Sequence, residues 1–352
     1  MTGQAQVTIL GYGKIARDAH GPAWQRAAAL GKAVVRTIIE PTEGGCVAAT
    51  AAFPGAKVIC ADARSAFDAP LLGDVVDVCT PGDLHYELVM GALGANCHVL
   101  VEKPLAHSAA EVAQISAAQH GAIIQVCQTF RLGKPVQQFR AAVAAGQVGR
   151  ITRVQVVHHA RHILSEAEWV TRSRPDGVIF ENAIHFLDLV HFLLDLSAPI
   201  SIEACRFRQT HHRPVLTGFE SFAHDDRGRQ VTIDFVQDSL AHSALMSRVY
   251  VSATGADAEL RFYPDGFRLL SGVIDPLHDL RADVVRLGSV ARRMLLRKDK
   301  NGPHEVLIDN FLESRAGEGE TMCGPTSVLP GVATAEALSR AWAAPAPAYI
   351  CK

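Results

Sequence analysis

Three groups of residues have the types and spacing to do chemistry. The first, Gly11-Tyr12-Gly13-Lys14-Ile15-Ala16, follows the apolar run VTIL and opens a helical stretch. In that order the first glycine makes a tight turn, the second lets a pyrophosphate approach the backbone, and the small third residue lets helix and strand pack closely. The next apolar run ends in Glu40, a little beyond the spacing of about 20 residues at which an acid meets ribose hydroxyls. A carboxylate there accepts from both hydroxyls and repels a 2′-phosphate, and Pro41 to Ala56 contains no Lys or Arg. The group predicts a dinucleotide site that takes NAD in preference to NADP. Its bland alternative is a glycine turn that binds nothing.

The second group closes two later runs, VVDVCTP and HVLVEKP. In an open α/β sheet a ligand lies beyond the carboxyl ends of the strands, so the polar residues ending both runs face that edge. Lys103 there can hydrogen-bond a substrate oxygen and stabilise negative charge developing on it, as alcohol oxidation requires. Pro104 holds the preceding residue extended and admits a cis bond. The alternative is a solvated lysine in a surface turn. The third group is GVIFENAIHFLD, where Glu181, His185 and Asp188 fall at i, i+4 and i+7 of one helical stripe, with His191 on another. Buried unpaired, these groups would be costly, so they pair with each other or with a ligand. A histidine beside a carboxylate is suited to accept a hydroxyl proton near neutral pH. A helix-stabilising pair is the structural alternative, and no metal is expected because His191 is off the stripe.

These residues need elements to hold them. Up to about residue 127 short apolar runs alternate with helical stretches, which predicts a doubly wound parallel sheet. Beyond a helical stretch near 134–146, period-two runs such as ITRVQVVHHA and RQVTIDFV are joined by DDRG, TGAD and PDG. Those are hairpin signals and predict an antiparallel sheet. The expected organisation is therefore two domains, 1–127 and 128–352, the second of α+β class. A net charge of -2 with 20% charged residues gives no sign of a nucleic-acid binder. The N-terminal residues carry no charged leader, and no apolar run approaches the roughly 20 residues of a membrane span. A cytoplasmic protein is expected, with its eight scattered cysteines as free thiols.

Taken in order, GYGKIA, CTPGDLH, VEKPLA, TFRLGKP and NAIHFLD resemble the glucose-fructose oxidoreductase, inositol dehydrogenase and MocA (Gfo/Idh/MocA) family over essentially the whole chain. The resemblance implies an N-terminal Rossmann domain and a C-terminal domain with an open-faced, mainly antiparallel sheet, through which members often form homo-dimers or homo-tetramers. It implies hydride transfer between a nicotinamide and a ring carbon of a sugar, sugar derivative or cyclitol. On this likeness Lys103 and His185 are the proton-transfer pair, and Glu181 stands where many members have Asp. Asn182 and Arg131 line the substrate or nicotinamide pocket, while Thr80, Pro81, His85 and Glu102 match the cofactor side. Departures are Gly82 for the commoner Asn, Glu181 for Asp, and Pro175-Asp176-Gly177 for a glycine run. Trp169, His159 and Arg161 are further candidates for substrate contacts.

Two other function classes stay open: an NAD-binding regulator or sensor, and an enzyme that oxidises and reduces NAD within one catalytic cycle, as in epimerisation or glycoside cleavage. One segment is unassigned. From Pro276 to His304 a narrow apolar seam faces a basic side, with seven Lys/Arg against three Asp between 277 and 300. A packed insertion helix is the expected reading, with an anionic membrane, a neighbouring subunit or an acidic substrate group as alternatives.

Overall fold

The computed structural model describes residues 3–67, 71–159, 174–209, 215–237, 248–254, 256–262, 265–270 and 302–344. The chain forms two compact units, Met1–Thr129 with Asp299–Leu329, and Phe130–Lys298 with Pro330–Lys352. Along it run β1 (Ala5–Leu10), α1 (Gly21–Ala29), β2 (Ala33–Glu40), α2 (Glu43–Ala52), β3 (Lys57–Cys60), β4 (Val75–Val78), α3 (His85–Gly94), β5 (His98–Val101), α4 (Ala109–Ala118) and β6 (Ile124–Val126). Then follow α5 (Lys134–Ala144), β7 (Arg150–His159), α6 (Ile184–Leu194), β8 (Ser201–Gln209), β9 (Leu216–His224), β10 (Gln230–Val236), β11 (Arg248–Thr254), β12 (Ala256–Phe262), β13 (Asp265–Leu270), α7 (Gly302–Arg315) and α8 (Pro325–Ala343).

In unit 1 the strands β1, β4 and β5 are buried along almost their whole length, as near-continuous apolar runs must be when helices cover both faces. They pair in parallel in the order β3-β2-β1-β4-β5-β6. That is the Rossmann arrangement, and its switch point falls between β1 and β4. Local signals set the helices: Thr42 caps α2 by accepting from Gly45 N, and Ser108 with Glu111 forms a capping box on α4.

The single boundary expected after residue 127 does not describe this unit, because 299–329 returns to it. The return is driven by burial of Leu307, Ile308 and Phe311 on α7, and is pinned by Gln125, whose Nε2 donates to the Leu307 carbonyl at 2.6 Å. Arg26 on α1 donates to Asp309 at 2.7 Å. Most of the basic segment 276–304 lies outside the described residues; its last three residues begin α7.

Unit 2 is built on a seven-stranded mixed sheet, β13-β12-β11-β7-β10-β9-β8. Five of its pairs are antiparallel and one, β10 with β7, is parallel. The DDRG stretch forms the turn between β9 and β10, where Asp225 accepts from the backbone of Arg227 and Arg229. Helix α6 packs on β7, and α5 on β12 and β13. The seven cysteines among the described residues are free thiols, and no described helix is long and apolar enough to cross a membrane.

Candidate active site

In unit 1 the loop after β1 turns at Gly11, whose φ of +85° suits glycine. A Cβ there would come within 3.1 Å of the Cys79 carbonyl, so the loop crosses the end of β4 with little room for a side chain. A Cβ at Gly13 would meet nothing within 4 Å, which leaves open space beside the backbone. Tyr12 is buried, Lys14 is exposed and 4.0 Å from Asp18, and Ala16 is buried at the start of a π-helical turn, Ala16–His20, that leads into α1.

Glu40 ends β2 only 5% exposed. One of its oxygens accepts from Tyr12 N at 2.7 Å, and the other from the Thr42 backbone at 3.0 Å and from its hydroxyl. Gly45 makes room for this carboxylate, since a Cβ there would lie 2.5 Å from Glu40 Cγ. The acid is thus aimed and braced before any ligand arrives. Thr80 Oγ1, at the end of β4, is buried with no hydrogen-bond partner. A close backbone approach, open space beside it, a fixed carboxylate and an unmet hydroxyl fit a dinucleotide.

His85, 1% exposed, bridges the two turns that follow β4 and β5. Its Nδ1 lies 2.6 Å from the Pro104 carbonyl and its Nε2 2.8 Å from that of Thr80. Pro81 is exposed. Lys103 is half-buried, and the Lys103–Pro104 bond is cis. The Glu102 carboxylate points inward: Oε1 lies 3.0 Å from His20 Nε2 and 3.2 Å from His304 Nε2, and Oε2 accepts from Lys103 N at 3.2 Å. Those histidines hold the Glu102 carboxyl well below its usual range against the opposing effect of burial. The sequence does not announce His20 and its partner Asp77, although an acid within the apolar run VVDVC is a visible signal.

In unit 2 a π-helical turn, Ile179–Ala183, precedes α6. Its i→i+5 bonding shifts Glu181 relative to His185, while His185 and Asp188 keep their i, i+3 spacing within α6. The expected pairing is corrected for Asp188, whose carboxylate pairs with Arg131. Arg131 Nε lies 2.7 Å from Oδ2 and Nη2 2.5 Å from Oδ1, both side chains buried. This is a two-pronged pair. Burial pushes the Asp188 carboxyl up and the guanidinium pulls it back. His185 stacks on Phe130, ring centroids 4.5 Å apart and planes 15° apart, a contact not expected from sequence.

Glu181, Asn182 and His185 are each half-buried near the start of α6. His191 is buried and structural, with Nδ1 2.7 Å from the Leu187 carbonyl and Nε2 3.2 Å from Thr334 Oγ1. His159 lies 2.7 Å from Asp234 on neighbouring strands. Trp169 and Arg161 fall outside the described residues.

A glycine loop and a braced acid at the carboxyl edge of a β3-β2-β1-β4-β5-β6 sheet define a dinucleotide-binding Rossmann domain, here joined to a mixed-sheet domain. Residues 5–127 match the model of the oxidoreductase family, NAD-binding Rossmann fold (GFO_IDH_MocA), and residues 136–258 match the GFO/IDH/MocA C-terminal domain. With both family domains matched in order, the chain belongs to the GFO/IDH/MocA oxidoreductase family, and its N-terminal unit is that family's NAD-binding Rossmann domain.

Among curated relatives it is similar to the 1,5-anhydro-D-fructose reductase of Ensifer adhaerens, 30% identical over 127 residues, 35% of this chain and 38% of that one. It is also similar to the D-glucoside 3-dehydrogenase of Escherichia coli K12, 29% identical over 142 residues, 39% of this chain and 40% of that one. The chain thus spans about two-fifths of the length of these relatives. In fold it resembles the WlbA dehydrogenase of Bordetella pertussis, crystallised with NADH and UDP-GlcNAcA, with a TM-score of 0.77, 18% identity and 96% of each chain covered.

Proposed function

We propose that this chain is an NAD-dependent dehydrogenase acting on a CH–OH carbon of a sugar, sugar derivative or cyclitol. The observation that carries the reading is the position of Lys103. It closes β5 on the same carboxyl edge as the Gly11–Ala16 loop after β1, with only β4 between the two strands. An ammonium group at that edge is suited to draw electron density from the substrate oxygen as the carbon is oxidised. In unit 2 the reading assigns proton transfer to His185, which accepts the hydroxyl proton at a ring nitrogen and returns it in the reverse direction. Stacking on Phe130 restricts the His185 ring to one plane, and Glu181 and Asn182 serve as orienting groups and substrate contacts. Arg131 acts indirectly: its pairing with Asp188 ties the chain beside Phe130 to α6.

NAD, when bound, supplies the hydride acceptor. Glu40 selects it over NADP, since its braced carboxylate can take two ribose hydroxyls but not a phosphate. The family likeness further suggests a homo-dimer or homo-tetramer, which light scattering would test. The reading is tested by following NADH formation with cyclitols, free sugars, sugar acids and nucleotide sugars. Reduction of NAD by one of these classes, with NADH bound more tightly than NADPH, is the expected result. Product formed without NADH accumulation, or tight NADH binding with no reaction in any class, would contradict it.

A further inference from the structure

The hydride-transfer reading makes no use of the ionic cluster inside unit 1, the most heavily built polar group there. His20 is 0% exposed and is delivered by the π turn ahead of α1 to a point between two strand ends. Its Nδ1 lies 3.0 Å from both oxygens of Asp77 on β4, and its Nε2 3.0 Å from Glu102 Oε1 beyond β5. Carboxylates at both nitrogens need a proton on each, so the ring is an imidazolium. Trp24 Nε1 donates to Asp77 Oδ2 at 2.6 Å. His304 on α7 reaches the same Glu102 oxygen. The thiols of Cys79 and Cys127 also face His20, and burial holds both protonated, Cys127 pushed up to about 12.

Stability alone does not call for such a cluster, because apolar side chains of similar volume commonly serve as well. What an ion cluster adds is direction. Glu102 N donates to the Val78 carbonyl at 3.0 Å, continuing the register of β5 on β4. Its second oxygen accepts from Lys103 N. A continuous set of contacts therefore runs from Asp77 through His20 and Glu102 to the backbone of the residue bearing the amine.

We propose that His20, clamped between Asp77 and Glu102, is a positioning residue for Lys103. It fixes the Glu102 carboxylate, which in turn holds the Lys103 backbone as the chain leaves β5. The proposal rests on the reading of Lys103 as the group that polarises substrate, but it can be tested on the amine itself without any substrate.

The experiment is competitive acetylation of the full chain with a water-soluble active ester across the neutral to alkaline range. Peptide mass spectrometry would compare Lys103 with the exposed Lys14 and Lys57. Wild type would be set against His20→Gln and Glu102→Gln, with folding checked by circular dichroism. Glu102→Gln is the decisive variant should His20→Gln fail to fold. It keeps the carbonyl that His20 and His304 address and places an NH2 where Lys103 N needs an acceptor.

The expected result is a change of about tenfold in the relative labelling rate of Lys103; tenfold corresponds to losing about one hydrogen bond to a charged group. A lower thermal midpoint with an unchanged Lys103 profile would overturn the proposal and leave His20 a structural ion only. Undiminished hydride transfer by Lys103→Ala would defeat the reading of Lys103 as catalytic, a separate result from the labelling.

Discussion

Both units bury a histidine on a helix that begins with a π turn, and the two interiors push the imidazole in opposite directions. In unit 1 burial alone would lower the His20 pKa, but Asp77 and its neighbours reverse the sign and raise it well above the ordinary value. In unit 2 burial prevails: His191 is pushed down to about 4, the Leu187 carbonyl opposing the shift and the charge of Arg131 adding to it. His158, between Phe186 and Phe235, is likewise pushed down to about 4 by burial. Burial sets the size of the desolvation cost, and the neighbouring carboxylates decide which protonation state is kept.

The largest effect should come from removing the cation of unit 1. His20→Leu leaves Asp77 and Glu102 buried without their shared partner, and chemical denaturation should show a loss of about 3–5 kcal/mol. Arg131→Met, the matching change in unit 2, leaves one carboxylate without its guanidinium and should cost somewhat less, about 3 kcal/mol. The double variant Arg131→Met/Asp188→Leu should recover most of that loss, because no bare charge remains. Failure of the double variant to recover would mean that the pair's geometry, not its charge balance, holds α6.

The pH dependence should differ in sign between His20 and the buried histidines of unit 2. His20 has a raised folded-state pKa, so its contribution is complete below the unfolded value of about 6.5 and fades as pH rises through the folded value. Glu102 has a lowered one, so its contribution is complete above the unfolded value and fades as pH falls through the folded value. His158 and His191 contribute fully above the unfolded value of about 6.5 and lose that contribution as pH falls through about 4. Amide exchange corrected for its intrinsic rate should therefore show α1 and β4 loosening toward alkaline pH and α6 toward acid. Exchange in α1 and β4 that does not quicken toward alkaline pH would remove the contrast. The smallest effect is at Thr42, where Thr42→Ala removes the cap of α2 and a support of Glu40; about 1 kcal/mol of stability should go, with weaker NADH binding.

Much of this architecture was legible in the sequence. Alternating runs such as QVTIL, AVVRTIIE and VVDVCT gave the parallel sheet, because a strand buried on both faces must be apolar throughout. The hairpin turn at DDRG marked the second sheet in the same way. Contacts between distant residues were not legible. The return of α7 to unit 1 depends on Leu307 and Phe311 finding a surface made about 200 residues earlier, as Gln125 and Leu307 show, and no local pattern announces it. The partner of Asp188 was equally hidden, because Arg131 meets it across 57 residues of chain. At the cofactor edge the residue types of Gly11, Glu40 and Lys103 were readable, while the bracing of Glu40 by Tyr12 and Thr42 was not.

On the proposed function, a hydride leaves a CH–OH carbon for NAD while His185 takes the hydroxyl proton. Its most direct test is NADH formation by wild type and His185→Ala on the same substrate, with NADH affinity measured in parallel. Turnover of the variant should be lower by at least about 100-fold, with NADH binding retained. Equal turnover in the two proteins would remove His185 from the chemistry and contradict the account.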